Sequence, residues 1–169
     1  MDKSTFYKEL RKVADGLGIK FSNQIANVIY QQAKLETGTF TSRRYLEDHN
    51  LFGMKAPNSR ELYSSISNKF AKYDDDATSI KDYLLRQKQY KISFHQSPLE
   101  YIQATLKSGY VQADEMKEYY IIWSGLSGID VKGAENKKKL VQRIFEGVII
   151  GALIALVIST IKENQNGTV

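Results

Sequence analysis

The chain has 169 residues at 19.3 kDa and carries 24 Lys plus Arg against 19 Asp plus Glu, a formal net charge of +5. That length accommodates one ordinary domain with an appendage, and 42% hydrophobic residues with 25% charged ones describe a globular chain too apolar for disorder. The absence of Cys removes disulfide scaffolds, thiolate metal sites and cysteine nucleophiles.

Residues 1–18 alternate charged and apolar residues, unlike the unbroken apolar stretch of a secretory signal. They read as an amphipathic helix with Phe6, Leu10, Val13 and Ala14 on one face, Ser4 as N-cap and Gly16 or Gly18 as the stop. A second helix is expected from Ser22, with Ile25, Val28, Ile29 and Ala33 at helical spacing and Thr37-Gly38 ending it just after Glu36. From Arg43 to Tyr73 the helical period is lost, and Asn50, Gly53, Pro57, Asn58 and Ser59 mark turns. A small β-hairpin fits between Leu62 and Tyr73. The helical pattern returns over Ala77–Gln87 through Ile80, Tyr83 and Leu84. Ser97-Pro98-Leu99-Glu100 then forms a capping box with Pro at the first helical position, opening a helix that should end at Gly109. One more helix, Asp114 to Trp123, precedes a Ser- and Gly-containing break at Ser124, Gly125, Ser127, Gly128 and Gly133 that reads as a linker.

The carboxy-terminal segment differs in kind. Gly147 to Ile161 is uncharged, and extension back to Ile144 admits only Glu146. About eighteen residues at ~1.5 Å each make roughly 27 Å of helix, close to the thickness of a bilayer core. The segment is read as a membrane span over 144–161, with a buried core helix as the alternative. Gly147, Gly151, Ala155 and Ser159 are spaced by four and share one face, which would let a second copy approach closely in a homo-oligomer. The basic run Lys137-Lys138-Lys139 with Arg143 flanks the span, and so reads as a membrane anchor rather than a nucleic-acid patch.

The chemistry concentrates at Glu36. A carboxylate in the last turn of a helix faces the negative end of the macrodipole, which raises its pKa and keeps the acid form available near neutral pH. Cleavage of a glycosidic bond needs such a proton donor beside the leaving oxygen. On its own, a Glu before a Gly cap is usually a solvated helix end. The 11 Tyr suit a wet groove, where a ring stacks and a hydroxyl hydrogen-bonds. There is no Gly-rich phosphate loop, and His49 and His95 lack the spacing of a zinc pair, so neither a metal nor another cofactor is implied.

Four ordered blocks extend this reading: Gln32-Ala33-Lys34-Leu35-Glu36-Thr37-Gly38; Asn50-Leu51-Phe52-Gly53-Met54-Lys55-Ala56; Phe70-Ala71-Lys72-Tyr73 leading to Ser79-Ile80-Lys81-Asp82-Tyr83; and Ser108-Gly109-Tyr110. In order and approximate spacing, over about residues 20 to 123, the chain resembles the glucosaminidase family of peptidoglycan hydrolases, glycoside hydrolase family 73 of the lysozyme-like superfamily. The resemblance implies that Glu36 is the catalytic acid and that Asn50, Phe52 and Gly53 shape the sugar site, with Phe52 equally readable as core. It also implies that Tyr110 lines the cleft. Family members often carry a second carboxylate on the hairpin lobe, where Glu61 is the counterpart; Asp74, Asp75 and Asp76 instead sit where a helix begins, a favourable place for Asp. Without a second carboxylate, the substrate's N-acetyl group would assist at the anomeric carbon. After Tyr110 the family pattern has an early Tyr, whereas Tyr119 falls later here. Trp123 is readable as a sugar platform or as core.

The expected architecture is α+β, mostly helical: a lysozyme-like domain with a small β-hairpin lobe over 1–128, a basic linker over 129–143, a transmembrane helix over 144–161 and a polar tail over 162–169. The expected activity is hydrolysis of the β-1,4 glycosidic bonds of peptidoglycan strands, with the lipid bilayer as second partner and no nucleic acid. Alternatives are a muramidase or lytic transglycosylase of the same fold, or an inactive membrane-anchored wall-binding module. With export of the domain against the positive-inside rule as the alternative, the basic flank is expected by that rule to put the domain on the cytoplasmic side. That arrangement suits a phage or plasmid-encoded lysin, held in a virion or bacterial inner membrane, which meets the wall only after a membrane breach.

Overall fold

A computed structural model describes residues 1–129, which form one packed unit. The linker, the membrane span and the tail expected from the sequence lie outside the described residues. Among those described, no helix is long and apolar enough to cross a membrane.

The chain order is α1 (Lys3–Gly16), α2 (Asn23–Glu36), α3 (Arg43–Asp48), β1 (Ser65–Ser67), β2 (Phe70–Lys72), α4 (Asp76–Gln89), α5 (Pro98–Lys107) and α6 (Met116–Leu126). Helices α2 and α4 each bury half of their residues, and α2 is the central one for the site. Its Ile25, Ala26, Ile29 and Ala33 are fully enclosed, and it packs against α1, α5 and α6. Phe6 and Leu10 of α1, Ile80 and Leu84 of α4, Tyr101 and Ile102 of α5 and Trp123 of α6 complete the core. Each of these aliphatic and aromatic side chains contributes about 1.5–3 kcal/mol through its removal from water.

Three boundaries differ from the sequence expectation. Helix α1 is capped by Asp2 instead of Ser4: the Asp2 carboxylate accepts from the Thr5 amide at 2.9 Å and the Thr5 hydroxyl at 2.8 Å, and its charge complements the helix N-terminus. Helix α3 occupies residues read as loop; it buries no residue, so it has no apolar stripe to reveal it, and its signal is the Ser42 cap on Tyr45. Helix α6 continues through Ser124 and Gly125, which had read as linker. It is held there by Trp123 Nε1 donating to the Val28 carbonyl at 2.8 Å and by Asn27 Nδ2 donating to the Ser127 carbonyl at 3.3 Å.

The hairpin lies within the expected stretch. Strands β1 and β2 pair antiparallel, Ser65 with Lys72 and Ser67 with Phe70, around Asn68-Lys69, whose φ values of 48° and 70° are those of a two-residue turn with both central residues left-handed. The capping box at Ser97 and Glu100 is present.

Two polar clusters tie the helices together. Tyr83 donates to Gln32 Oε1 at 2.6 Å, and Gln87 Nε2 lies 2.8–2.9 Å from the hydroxyls of Tyr83, Tyr101 and Thr105, linking α2, α4 and α5 inside the core. Asp82, fully buried on α4, accepts from the Arg60 guanidinium and from the Tyr73 hydroxyl, the latter at 2.6 Å. This pairing fastens the irregular segment around Arg60 against α4. Low local dielectric makes such satisfied clusters rigid, and a rigid wall is what the neighbouring cleft requires.

Candidate active site

Glu36 is the last residue of α2, and the chain is turned sharply after it. Thr37 donates its hydroxyl to the Ala33 carbonyl at 2.6 Å and accepts from the Phe40 amide at 2.9 Å, while Gly38, Thr39 and Phe40 all take left-handed φ. The helix therefore ends abruptly, leaving the Glu36 side chain at the wall of a cleft of about 520 Å³. Phe52, Gly53, Met54, Arg86, Tyr110 and Tyr119 are among the other residues lining that cleft.

The 50–54 turn is built to bring backbone against the carboxyl. Asn50 is buried, with Nδ2 donating to the carbonyls of Met54 at 2.9 Å and Ala71 at 2.8 Å, and Oδ1 accepting from the Met54 amide at 2.8 Å. That bracket closes a tight turn in which Gly53 has φ 59° and lies directly on Glu36. A Cβ at Gly53 would come within 2.5 Å of Glu36 Oε2, so any other residue would strain the turn and push the carboxyl aside. Phe52 stacks on Tyr83 with ring centroids 4.0 Å apart, and its carbonyl accepts from the Tyr110 hydroxyl.

Helix α6 supplies the opposite wall. Trp123 meets Val28 and Tyr119 meets Glu36, so α6 runs antiparallel to α2, and the Tyr119 hydroxyl donates to Glu36 Oε1. Burial is the largest influence on Glu36 and raises its pKa; the Tyr119 hydrogen bond and the Arg44 charge pull the other way, and the Glu115 charge adds to the rise. The net direction is upward. Burial, followed by the nearby Glu36 charge, likewise holds the Tyr110 and Tyr119 phenols well above their usual value, so both stay neutral donors. Tyr119 thus occupies Oε1, and Oε2 lies against the bare backbone of Gly53.

Cations surround the acid without contacting it as ion pairs. Arg44, Lys55, Arg60 and Arg86 line the cleft. Arg44 lies 3.4 Å from the Phe70 ring centroid, a position that β2 of the hairpin provides. Arg86 donates to Ser108 Oγ at 2.9 Å and sits over the Tyr110 ring at 4.9 Å.

The residues singled out in the sequence thus have distinct placements. Glu36, Phe52, Gly53 and Tyr110 converge on the cleft, whereas Asn50 lies beneath it as a brace for the turn. Glu61 is exposed, at φ 50°, and is not among the cleft-lining residues. Asp75 caps α4 by accepting from the Thr78 amide at 2.7 Å, and Asp76 bonds His49 at 2.9 Å. Trp123 is fully buried, in the core rather than on a sugar platform. Tyr119, left open in the sequence because it falls later than the family pattern, lines the cleft, as do Arg44 and Glu115, which the sequence did not single out; the four-residue spacing of Glu115, Tyr119 and Trp123 along one helix is a signal for Tyr119 and Glu115. Among the described residues, no group of His, Asp and Glu side chains is arranged to hold a metal ion.

Comparison with known proteins agrees with this geometry. The family model Glucosaminidase, described as mannosyl-glycoprotein endo-beta-N-acetylglucosaminidase, matches residues 18–144. Among curated proteins, none matches the sequence. Among solved structures, a chain of a type VI secretion system effector-immunity complex from Pseudomonas protegens is similar in fold: TM-score 0.55 at 20% sequence identity, over 75% of this chain and 91% of that one. A carboxylic acid set in a groove, on a chain matched by that family over most of its length, leads to one assignment: the chain belongs to the Glucosaminidase family and is a glycoside hydrolase of the peptidoglycan-cleaving, endo-β-N-acetylglucosaminidase type.

Proposed function

We propose that the enzyme cleaves the β-1,4 bond on the reducing side of N-acetylglucosamine in the glycan strand, with Glu36 as the general acid. The observation that carries this is the Glu36 carboxyl itself, raised in pKa by burial, lining the cleft, held at one oxygen by Tyr119 and set against Gly53 at the other. The bridging oxygen of a bound strand takes its proton from Oε2 as the bond to the anomeric carbon breaks. Tyr119 then stabilises the carboxylate left behind, because its neutral hydroxyl already points at Oε1. Arg44 supplies positive charge to the same end.

The cationic lining favours an anionic glycan. Arg44 and Lys55 have no ion-pair partner among the described residues, and peptidoglycan carries lactyl-linked peptides with free carboxylates, unlike a neutral amino-sugar polymer. Digestion of purified peptidoglycan, followed by borohydride reduction and mass spectrometry, is expected to yield N-acetylglucosaminitol ends that are absent with Glu36→Gln. Muramitol ends identify a muramidase, anhydro ends a lytic transglycosylase, and no new ends a wall-binding module; each of these sinks the proposal.

The same reading extends to the carboxy-terminal segment. Residues 144–161 span a bilayer, self-associate through Gly147, Gly151 and Ala155, and hold a phage-type lysin in a virion or bacterial inner membrane. The support is the uncharged run with its small-residue face and basic flank. Cross-linking in lipid should fall on Gly151→Leu, and alkaline extraction that releases the full chain would refute the anchor.

A further inference from the structure

Two carboxylates line the cleft among the described residues, and the second is Glu115. Its position is set by helix α6. Glu115 is the residue immediately before the helix, in helical conformation, and the Tyr119 amide donates to its carbonyl at 3.0 Å. Glu115 and Tyr119 therefore occupy one face a turn apart, roughly 5–6 Å between Cβ atoms. Tyr119 touches Glu36, so Glu115 lies one turn farther along the same wall.

The Glu115 side chain has no structural duty. It makes no capping hydrogen bond, it forms no ion pair among the described residues, and it is a solvent-exposed residue of the cleft lining. Its negative charge is nevertheless near enough to Glu36 to contribute to that residue's raised pKa. Glycosidases that work by single displacement keep their two carboxyls about 6.5–9.5 Å apart, leaving room for a water and the anomeric carbon. Glu36 and Glu115 line one cleft, with Glu115 a helical turn beyond the residue that touches Glu36.

We infer that Glu115 is the general base of a single-displacement reaction, activating the water that attacks the anomeric carbon while Glu36 protonates the leaving oxygen. This rests on the glycosidase reading above and completes it. The water oxygen bonds to the anomeric carbon and gives a proton to the Glu115 carboxylate. The bond to the bridging oxygen breaks with its electron pair, and that oxygen receives the Glu36 proton. One water is consumed, and exchange with solvent returns both carboxyls to their starting forms. The hemiacetal is released with inverted, α, configuration.

The test uses the full chain with a soluble peptidoglycan fragment. Glu115→Gln should lose about 10²–10⁴-fold in kcat with circular dichroism unchanged, and Glu61→Gln should stay within a few-fold of wild type. Nuclear magnetic resonance of fresh wild-type product should show the α-anomer first. Azide should restore turnover to Glu115→Ala and give the α-glycosyl azide. A β-anomer as first product, a Glu115→Gln enzyme near wild-type kcat, or no azide rescue overturns the inference. An inactive Glu36→Gln beside an active Glu115→Gln removes the base and leaves the glycosidase reading intact. Full activity in both variants removes that reading as well.

Discussion

Glu36→Gln is expected to lower kcat on peptidoglycan by about 10³-fold, with KM changed only slightly. The amide matches the carboxylic acid in shape and still accepts from Tyr119, so binding in the cleft survives. What is lost is a proton that reaches the bridging oxygen only as the bond breaks, and an interaction made only in the transition state appears in kcat. Burial raises the Glu36 pKa, so the wild-type rate should persist above the ordinary carboxylate range and fall as pH rises through the elevated value. The residual activity of the variant should lack that limb. Stability follows the same sign. A group whose pKa is higher in the folded than in the unfolded state contributes stability that is complete below the unfolded value and lost as pH rises through the folded one. Wild type should therefore lose thermal stability relative to Glu36→Gln over a window that begins at the ordinary Glu value and runs upward. Parallel melting curves for the two proteins across that window would mean that Glu36 pays no desolvation cost.

Gly53→Ala should lower kcat by about 10²-fold and destabilise the fold by roughly 1–2 kcal/mol. Two costs meet at one methyl group. The backbone at φ 59° disfavours any L side chain, and the Cβ would lie 2.5 Å from Oε2 and 3.3 Å from Cδ of Glu36. The Asn50 bracket prevents the turn from withdrawing, so the carboxyl is displaced instead. Steady-state kinetics together with urea unfolding separates the effects: a stability loss at unchanged kcat would show that Glu36 does not need its position against Gly53. Gly38→Ala is the comparison, because it shares the left-handed φ of 56° while its Cβ would meet only Thr41 Oγ1 at 3.8 Å.

The helices and the acid were legible because their signals are local. Apolar spacing marked α1, α2 and α4, the capping box at Ser97 marked the start of α5, and Glu36 stood where α2 had to stop. The family followed from four ordered blocks of residues. Helix α3 was hidden because it buries nothing, and the end of α6 because Ser124 and Gly125 look like a break until Trp123 finds Val28 across the core. Asn50 looks like a ligand residue in the sequence, yet its side chain is consumed by three backbone groups. The cause of the raised Glu36 pKa also differs in emphasis. The helix terminus was the visible reason in the sequence, whereas burial, to which Tyr119 and the Gly53 turn contribute from distant parts of the chain, is the largest cause in the structure. Long-range enclosure of that kind leaves no mark in local spacing, and neither does the choice between Glu61 and Glu115 as second carboxylate.

The most direct measurement is a carbon-13 titration of the Glu36 carboxyl in the free enzyme, assigned with Glu36→Gln. The account predicts a midpoint above the ordinary glutamate value, rising further in Tyr119→Phe once the hydrogen bond that favours the carboxylate is gone. A midpoint at or below the ordinary value would leave no acid in the cleft near neutral pH and would contradict it.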